Sequence, residues 1–216
     1  ISPLYARVGQ RYQYHTCAAG DFYYTSSWTR DFDGMKRLVE YFKYTEEPRR
    51  LRAMNLYYHF YLAEKALGLE GLRQAMDYVR SLKPAPIFVS DYIPMVSDLI
   101  TLQLGQDSQG RTVVHNSGQC RTLRWDNPGK HVDMARSQGV LGFLKEDHRL
   151  YVHLDGGQQH RIAWSETPNA PGTFYLEKAS HRLEGLVRKG TQIDFRLHGV
   201  GPAHFSFVGF KPGRYR

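Results

Sequence analysis

The sequence has few cysteines and lacks the long apolar segments that cross membranes. Cys17 and Cys120 are the only two cysteines in 216 residues, and they form no CxxC pair and no disulfide framework. No secretory signal and no apolar run of membrane-spanning length is present. The first residue is Ile1, so the missing signal does not decide where the protein is located, and an oxidising compartment stays open.

Motifs of several enzyme classes are also missing. The ten histidines form no HExxH or HxxxH pair, no serine lies in a GxSxG turn, and no glycine loop has the strand-to-helix context that phosphate binding requires. Asp31 and Asp33 are alternate carboxylates before a helical segment, where capping is the favoured interpretation. We interpret four histidines near expected strands as ordinary sheet residues: His148, His153, His198 and His204.

The composition allows a buried core and gives the chain a basic charge. Hydrophobic residues make up 41% of the sequence, and aromatic residues make up 13% with 15 tyrosines. The net charge of +8 favours polyanionic partners. However, the cations are scattered, and the densest cluster is the short Arg49-Arg50-Leu51-Arg52. Without an RNA- or DNA-binding motif beside that cluster, we do not predict a nucleic-acid partner.

The first part of the chain alternates helix and strand patterns. Apolar spacing predicts a helix from Met35 to Phe42 and a second helix from Ala63 to Leu82. The aromatic segment around Asn55 to Phe60 and the apolar Ile87-Phe88-Val89-Ser90 are typical of strands. Helix, strand, helix and strand in this order predict an α/β arrangement of parallel strands with right-handed crossovers.

The pattern changes after Asp98, where helical periodicity ends and short apolar segments follow one another between turns. This spacing is typical of an antiparallel β-sandwich or jelly roll, so we place a domain boundary between residues 1–98 and 99–216. Glu146-Asp147-His148 predicts a hairpin turn between two of the strands. The predicted strands are Leu99–Leu104, Thr112–Asn116, Cys120–Trp125, Val140–Lys145, Arg149–Leu154, Arg161–Trp164, Thr173–Leu176, Arg182–Val187, Gln192–His198 and His204–Phe210.

Two polar residues follow the predicted strands of the first part. His59 and Asp91 would each lie where a strand ends, and neighbouring strands would bring them to one cleft. An imidazole held by a carboxylate can transfer a proton near neutral pH. The alternative for His59 is a hydrogen-bonded core histidine among tyrosines. Tyr24 and Trp28 lie in a polar and aromatic segment that is typical of an exposed contact loop, although packing over the core is an equal alternative.

Several segments resemble the PelA-like proteins, which are large secreted or periplasmic proteins that modify the Pel exopolysaccharide. Asn55-Leu56-Tyr57-Tyr58-His59-Phe60-Tyr61 and Ser90-Asp91-Tyr92 are similar to the end of their deacetylase region. Tyr24-Thr25-Ser26-Ser27-Trp28 is similar to their aromatic loop. Ala135-Arg136-Ser137-Gln138-Gly139-Val140 and Tyr151-Val152-His153-Leu154 resemble their terminal β-domain.

The resemblance implies the C-terminal half of a (β/α) polysaccharide deacetylase barrel, followed by a jelly-roll-like sandwich that is a candidate carbohydrate-binding domain. It implies removal of N-acetyl groups from an amino-sugar polysaccharide, with a zinc-like divalent metal as cofactor. His59 would be the general acid, and Tyr24, Trp28 and Tyr58 would contact the substrate. Asp91 is the catalytic candidate that the expected strand ends place beside His59. A periplasmic or secreted location is expected.

The same resemblance has a gap, because the catalytic aspartate and HxxxH-type metal ligands of the family have no match in this sequence. Either the chain is a C-terminal piece whose partner is the preceding part of the same protein, or the region has lost its metal. Other exopolysaccharide-assembly proteins are further expected partners. The competing hypothesis is a noncatalytic carbohydrate-binding or assembly module.

Overall fold

The computed structural model describes residues 4–15, 35, 37–46, 50, 52–190 and 192–210. The chain divides into two compact units, residues 1–84 and residues 85–216. This division lies upstream of the boundary expected at residue 98. The architecture mixes helices with sheets, most of its elements are strands, and no sheet of the described residues closes into a barrel.

The described residues of the first unit form one hairpin and three helical segments. Its elements are strand β1 (Leu4–Val8), strand β2 (Arg11–His15), helix α1 (Arg37–Glu46), a 3₁₀ helix (Phe60–Glu64) and helix α2 (Ala66–Ser81). Strands β1 and β2 pair antiparallel. Both helices predicted from apolar spacing are confirmed.

The core of the first unit is built by helical spacing. Leu38 and Phe42 lie four residues apart on α1, and Leu72 and Ala75 lie three apart on α2, so each pair shares one helix face. These side chains are buried together with Leu62 of the 3₁₀ helix. Removing a leucine or phenylalanine side chain from water stabilises the fold by about 1.5–3 kcal/mol.

The predicted strand around Asn55–Phe60 is wrong, because residues 52–59 form no strand in the structure. Their alternation nevertheless has a structural cause. Met54, Leu56 and Tyr58 pack against the helical core, whereas the intervening Tyr57 and His59 are exposed. An extended segment lying on helices shows the same period of two as a strand, so its burial against a helical core produced the sheet-like pattern.

The predicted strand at Ile87–Ser90 is also wrong. Helix α3 runs from Val89 to Thr101, and it buries Tyr92 and Val96 at helical spacing. Sequence reasoning missed this helix because Pro94 lies inside it and because its third buried residue is the charged Asp98. The strand predicted at Leu99–Leu104 begins only after the helix ends.

Twelve strands follow helix α3 in the part of the second unit that the structure describes. They are β3 (Gln103–Gln106), β4 (Thr112–His115), β5 (Thr122–Asp126), β6 (His131–Val132), β7 (Val140–Glu146), β8 (Arg149–Leu154), β9 (Gln159–Ile162), β10 (Trp164–Ser165), β11 (Tyr175–Ala179), β12 (Arg182–Lys189), β13 (Gln192–His198) and β14 (Phe205–Val208). Seven of the ten predicted strands match these closely, whereas Leu99–Leu104 and Thr173–Leu176 each share only two residues with β3 and β11. The predicted Arg161–Trp164 covers the end of β9 and the start of β10, and β6 was not predicted. The two-residue β6 is too short to show an apolar alternation.

Two sheets of the second unit share one apolar core. The order of the larger sheet is β14-β11-β7-β8-β5, and that of the smaller is β3-β4-β9. Alternate residues of β8, Leu150, Val152 and Leu154, meet Val114 of β4 and Ile162 of β9 in one buried cluster. All pairings are antiparallel except the contact between β11 and β7. The predicted hairpin is confirmed, since β7 and β8 pair directly. No helix in the described part of the chain is long and apolar enough to cross a membrane.

Candidate functional site

His59 lies in the first unit, in an exposed group of aromatic side chains. It immediately precedes the 3₁₀ helix and has an extended backbone, with φ −96° and ψ 150°. The Tyr57 hydroxyl lies 3.3 Å from His59 Nε2, and the imidazole stacks on the ring of Tyr61 at a centroid distance of 5.0 Å. The side chain is exposed, so the alternative of a buried core histidine is excluded.

The two other predicted site residues that the structure describes, Tyr58 and Asp91, lie in different units of the chain. Tyr58 is half-buried against the helical core of the first unit. Asp91 is exposed in the first turn of α3, in the second unit. The predicted placement of His59 and Asp91 at the ends of neighbouring strands is therefore wrong, because neither residue follows a strand. Tyr24 and Trp28 lie outside the described residues.

Asp91 instead borders a cleft of about 510 Å³ within the second unit. One side is formed by the start of α3 and the segment before it, and the other by the ends of β12 and β13. The lining residues are Pro86, Ile87, Phe88, Asp91, Met95, Gln119, Ser180, His181, Arg182, Glu184, Leu197, His198, Gly199 and Val200. We call this cavity the α3 cleft.

The α3 side of the cleft presents apolar surface to solvent. Phe88, the residue that precedes α3, is 62% exposed, and Ile87 and Met95 are also exposed. Leaving a phenylalanine ring in water is unfavourable by about 1.5–3 kcal/mol relative to its burial. A ligand with an apolar face can therefore gain affinity by covering Phe88.

The opposite side carries a network of charged groups around Glu184. Its carboxylate oxygens lie 2.8 Å from Arg182 Nη2, 3.2 Å from Arg121 Nη2 and 3.2 Å from His198 Nε2. Burial raises the pKa of the Glu184 carboxyl, but the charges of Arg182, Arg121 and His198 together lower it below its ordinary value. Glu184 is therefore ionised at neutral pH, and its contacts hold these side chains in place.

The backbone beside the cleft is packed closely against His181. The Ser180 hydroxyl lies 2.8 Å from His181 Nδ1. A Cβ atom at Gly199 would overlap the His181 ring, so only glycine allows the chain after β13 to pass this close. The imidazole is thus fixed from two directions at the edge of the cleft.

Asp98 anchors α3 to the loop that brings Gln119 to the cleft. Its side chain is 1% exposed, and it accepts backbone N–H bonds from Ser117 at 2.5 Å, from Gln119 at 2.7 Å and from Cys120 at 2.7 Å. Burial raises the pKa of Asp98, but the three N–H donors outweigh this effect and lower the pKa below its ordinary value. One buried carboxylate therefore joins the two segments.

Cys120 is not arranged for nucleophilic chemistry. Burial, with the nearby Asp98 charge, raises the pKa of its thiol to about 11. A thiol in this state is protonated at neutral pH, whereas the thiolate is the reactive form.

The described residues do not fit the zinc-like ion that the family resemblance implies. No three His, Cys, Asp or Glu side chains among them come together in a way that could hold a metal. A structural or catalytic zinc site needs at least three such protein ligands. We therefore assign no metal-dependent step to these residues.

The residues around Glu184 were not predicted as a site, although one signal was present in the sequence. Arg182 and Glu184 are alternate residues of β12, so they share one face of the ribbon, and Arg182 pairs in register with His198 of β13. With that strand pairing known, the positions of Arg182, Glu184 and His198 on one face of β12 and β13 would have predicted a cluster of charged side chains. Comparison of the chain with family models, with curated proteins and with solved structures finds no match.

Proposed function

We propose that the second unit is a carbohydrate-binding β-sandwich of an exopolysaccharide-processing protein, and that the α3 cleft holds an amino-sugar polysaccharide. The observation that carries this proposal is the combination of exposed Phe88 with the charged network around Glu184 in one cleft. A sugar ring has an apolar C–H face and a rim of hydroxyl groups. Such a ligand needs an apolar surface and fixed polar groups together.

The polar side of the α3 cleft is organised before a ligand arrives. Arg182 donates to Glu184 and also lies 3.2 Å from Gln119 Oε1, so both of its neighbours limit its rotamers. Holding long side chains in place in the free protein reduces the entropy lost on binding. Hydroxyl groups of a sugar would meet donors and acceptors that are already oriented.

Asp91 favours a sugar that bears an amine. Its exposed carboxylate forms no hydrogen bond or ion pair with any residue that the structure describes, and it lies on the same side of the cleft as Phe88. A protonated amine of a de-N-acetylated sugar would give this carboxylate a partner. An exposed ion pair contributes about 0.2–1 kcal/mol, so we expect Asp91 to discriminate between sugars and Phe88 to provide most of the affinity.

The resemblance to PelA-like proteins supports the same assignment. On this proposal the two sheets around Val152 correspond to the jelly-roll-like terminal domain, and the helices of the first unit correspond to the end of the deacetylase barrel. The location would be periplasmic or secreted. The partners would be the polysaccharide and the remaining part of the same protein, or other exopolysaccharide-assembly proteins.

A binding measurement tests the proposal. Isothermal titration calorimetry would compare a glucosamine hexamer with an N-acetylglucosamine hexamer. We expect Phe88→Ala to weaken both complexes at least about tenfold, because the lost apolar contact is worth about 1.5–3 kcal/mol. We expect Asp91→Asn to weaken only the amine-bearing hexamer, by about threefold.

Matched controls lie outside the α3 cleft. Phe60→Ala removes a phenylalanine that is 90% exposed in the first unit, and Asp194→Asn removes an exposed carboxylate of β13. Both variants should bind like the wild type. Failure of either hexamer to bind, or wild-type affinity in Phe88→Ala, would contradict the proposal.

A second candidate function is removal of N-acetyl groups, with His59 as the general acid. The specific observation in its favour is that the imidazole is exposed and lies beside the Tyr57 hydroxyl. It predicts acetate release from N-acetylglucosamine oligomers that are incubated with the protein. His59→Gln should abolish the release, and His148→Gln, in the exposed hairpin turn, should not. Equal release by both variants would exclude His59 as the acid.

A further inference from the structure

A second cavity in the same unit is lined by cations and amides instead of apolar groups. It has a volume of about 450 Å³ and lies between the β3–β4 hairpin, the segment before β7 and strand β10. The residues of interest are Gln106, Gln109, Arg111, Lys130, Arg136 and Gln138. None of the lining residues is a carboxylate. We call this cavity the arginine groove.

Arg111 is held by an aspartate that is itself held by backbone groups. Asp107 Oδ1 accepts the backbone N–H groups of Gln109 and Arg111, both at 3.0 Å. The other oxygen, Oδ2, accepts Arg111 Nε at 2.8 Å. The two terminal guanidinium nitrogens form no hydrogen bond with the described residues. The carboxylate therefore fixes the guanidinium from its Nε side and leaves its terminal nitrogens available.

Arg136 repeats this arrangement on a different segment. Asp133 Oδ1 accepts the backbone N–H groups of Ala135 at 3.0 Å and Arg136 at 3.1 Å, and Oδ2 accepts Arg136 Nε at 2.6 Å. Nη2 donates to the Trp164 carbonyl oxygen at 2.9 Å. Nη1 has no hydrogen-bond partner in the described part of the chain. Two arginines on separate turns are thus fixed by the same contacts around one groove.

The acidic partners of both arginines remain charged at neutral pH. Hydrogen bonding from Arg136 lowers the pKa of Asp133, and for Asp107 the effect of burial is outweighed by hydrogen bonds from Arg111 and Gln109, so its pKa is also lowered. Lys130 pairs with Glu166 at 3.0 Å, so each of the three cations that line the groove has an acidic partner. What the groove offers a ligand is therefore the guanidinium nitrogens that these carboxylates leave uncovered, in a chain whose net charge is +8.

We propose that the arginine groove binds the carboxylate of a uronic acid in an acidic polysaccharide. Guanidinium groups whose orientation is already fixed bind planar carboxylates through paired hydrogen bonds, which makes arginine more selective here than lysine. The neutral amides of Gln106, Gln109 and Gln138 supply donors and acceptors for the sugar hydroxyls beside that carboxylate. The inference does not depend on the α3 cleft.

A glycan fits the groove better than a nucleic acid does. Nucleic-acid sites use rows of cations along a phosphate backbone and exposed aromatic rings on which bases stack. Here the cations line one compact cavity. The indole of Trp164, which also lines it, is half-buried and donates to Thr112 Oγ1 at 2.9 Å.

The test measures binding of tetragalacturonate and of its methyl ester to the whole chain. The ester keeps the sugar but removes the negative charge, so we expect it to bind at least about tenfold more weakly. The double variant Arg111→Gln/Arg136→Gln should lose a similar factor for the acid and nothing for the ester. The double lysine variant keeps the charge but loses the planar fork, and it should also bind weakly.

Controls separate this proposal from loss of folding and from the α3 cleft. Arg80→Gln removes an exposed arginine of the first unit that pairs with Asp77, and it should bind like the wild type. Phe88→Ala should leave tetragalacturonate binding unchanged. The double glutamine variant loses stabilising bonds to Asp107 and Asp133, so its circular dichroism must show that it is folded at the temperature of the binding assay.

Three results would overturn the proposal. They are equal affinity for acid and ester, wild-type affinity in the double glutamine variant, and tighter arginine-dependent binding of a single-stranded DNA oligomer than of tetragalacturonate.

Discussion

Replacement of Asp98 should lower the free energy of unfolding of the second unit. It should also loosen the attachment of α3 to the loop that carries Gln119, and both segments line the α3 cleft. The carboxylate receives three buried backbone N–H bonds, two on Oδ2 from Gln119 and Cys120 and one on Oδ1 from Ser117. Asp98→Asn can retain the first two by placing its oxygen at Oδ2. Its amide nitrogen then faces the Ser117 N–H group, so two donors oppose each other in a buried place.

The expected cost follows from these contacts. A hydrogen bond to a charged group contributes about 1.5–3 kcal/mol, so losing one and weakening two should cost about 3 kcal/mol. Asp98→Ala leaves all three donors without the carboxylate and should cost about 4 kcal/mol, near the upper range for a single substitution. In urea these losses correspond to a midpoint shift of roughly 1–2 M.

The pH dependence of the loss identifies the charge as its cause. Because the pKa of Asp98 is lowered in the folded state, its ionised form favours folding. The contribution is present in full above the pKa of an unfolded aspartate, about 3.9, and is lost as the pH falls through the lower folded value. The difference between the wild type and Asp98→Asn should therefore shrink below about pH 4.

Urea unfolding followed by tryptophan fluorescence is a suitable assay. Trp125 and Trp164 pack edge to face at 5.4 Å in the second unit, so they report on its unfolding. Asp194→Asn is the matched control and should stay within about 0.5 kcal/mol of the wild type. An Asp98→Asn variant as stable as the wild type, or a difference independent of pH, would refute the reasoning.

Two further predictions concern backbone geometry in the same unit. Gly142→Ala should lower the free energy of unfolding by about 2–3 kcal/mol, because its Cβ would overlap the Leu176 carbonyl where β7 meets β11, whereas Gly105→Ala, with open space around it, is the control. Wild-type urea midpoints for Gly142→Ala would contradict this close approach. Asp147→Gly should raise stability by about 0.5–1 kcal/mol, because residue 147 has a positive φ of 51° in the β7–β8 turn that glycine adopts more easily. A lower melting temperature in calorimetry would count against this explanation.

Sequence reasoning predicted the strands of the second unit well because their burial follows the period of two. In β8 the buried Leu150, Val152 and Leu154 alternate with Tyr151 and His153, and the turn before them is short. Local pattern and tertiary packing agree at such places, so pattern reading succeeds.

The same reasoning failed where one apolar pattern fits two different structures, a strand and an extended segment packed on helices. Met54, Leu56 and Tyr58 alternate as strand residues do, but they lie on helices. Helix α3 was hidden by Pro94 and by the buried charge of Asp98, whose partners lie about twenty residues away in sequence. Residue order alone does not show such a distant contact.

The candidate site is formed by residues from different strands and a helix, and the sequence of any one of these segments does not show which other segment lies beside it. His198 looked like an ordinary sheet histidine, and its contact with Glu184 arises only from the register of β12 with β13. Asp91 was identified as a site residue from a strand that does not exist. Its position beside Phe88 in the α3 cleft comes from the helix that replaces this strand.

A crystal structure of the chain with a glucosamine hexamer tests the central claim most directly. We predict one sugar ring against the Phe88 side chain, an amine within ion-pair distance of Asp91, and hydroxyl contacts to the Glu184 network. A hexamer bound only beside Tyr57 and His59 or only in the arginine groove would contradict the claim, as would crystals soaked at saturating hexamer in which the α3 cleft holds no sugar.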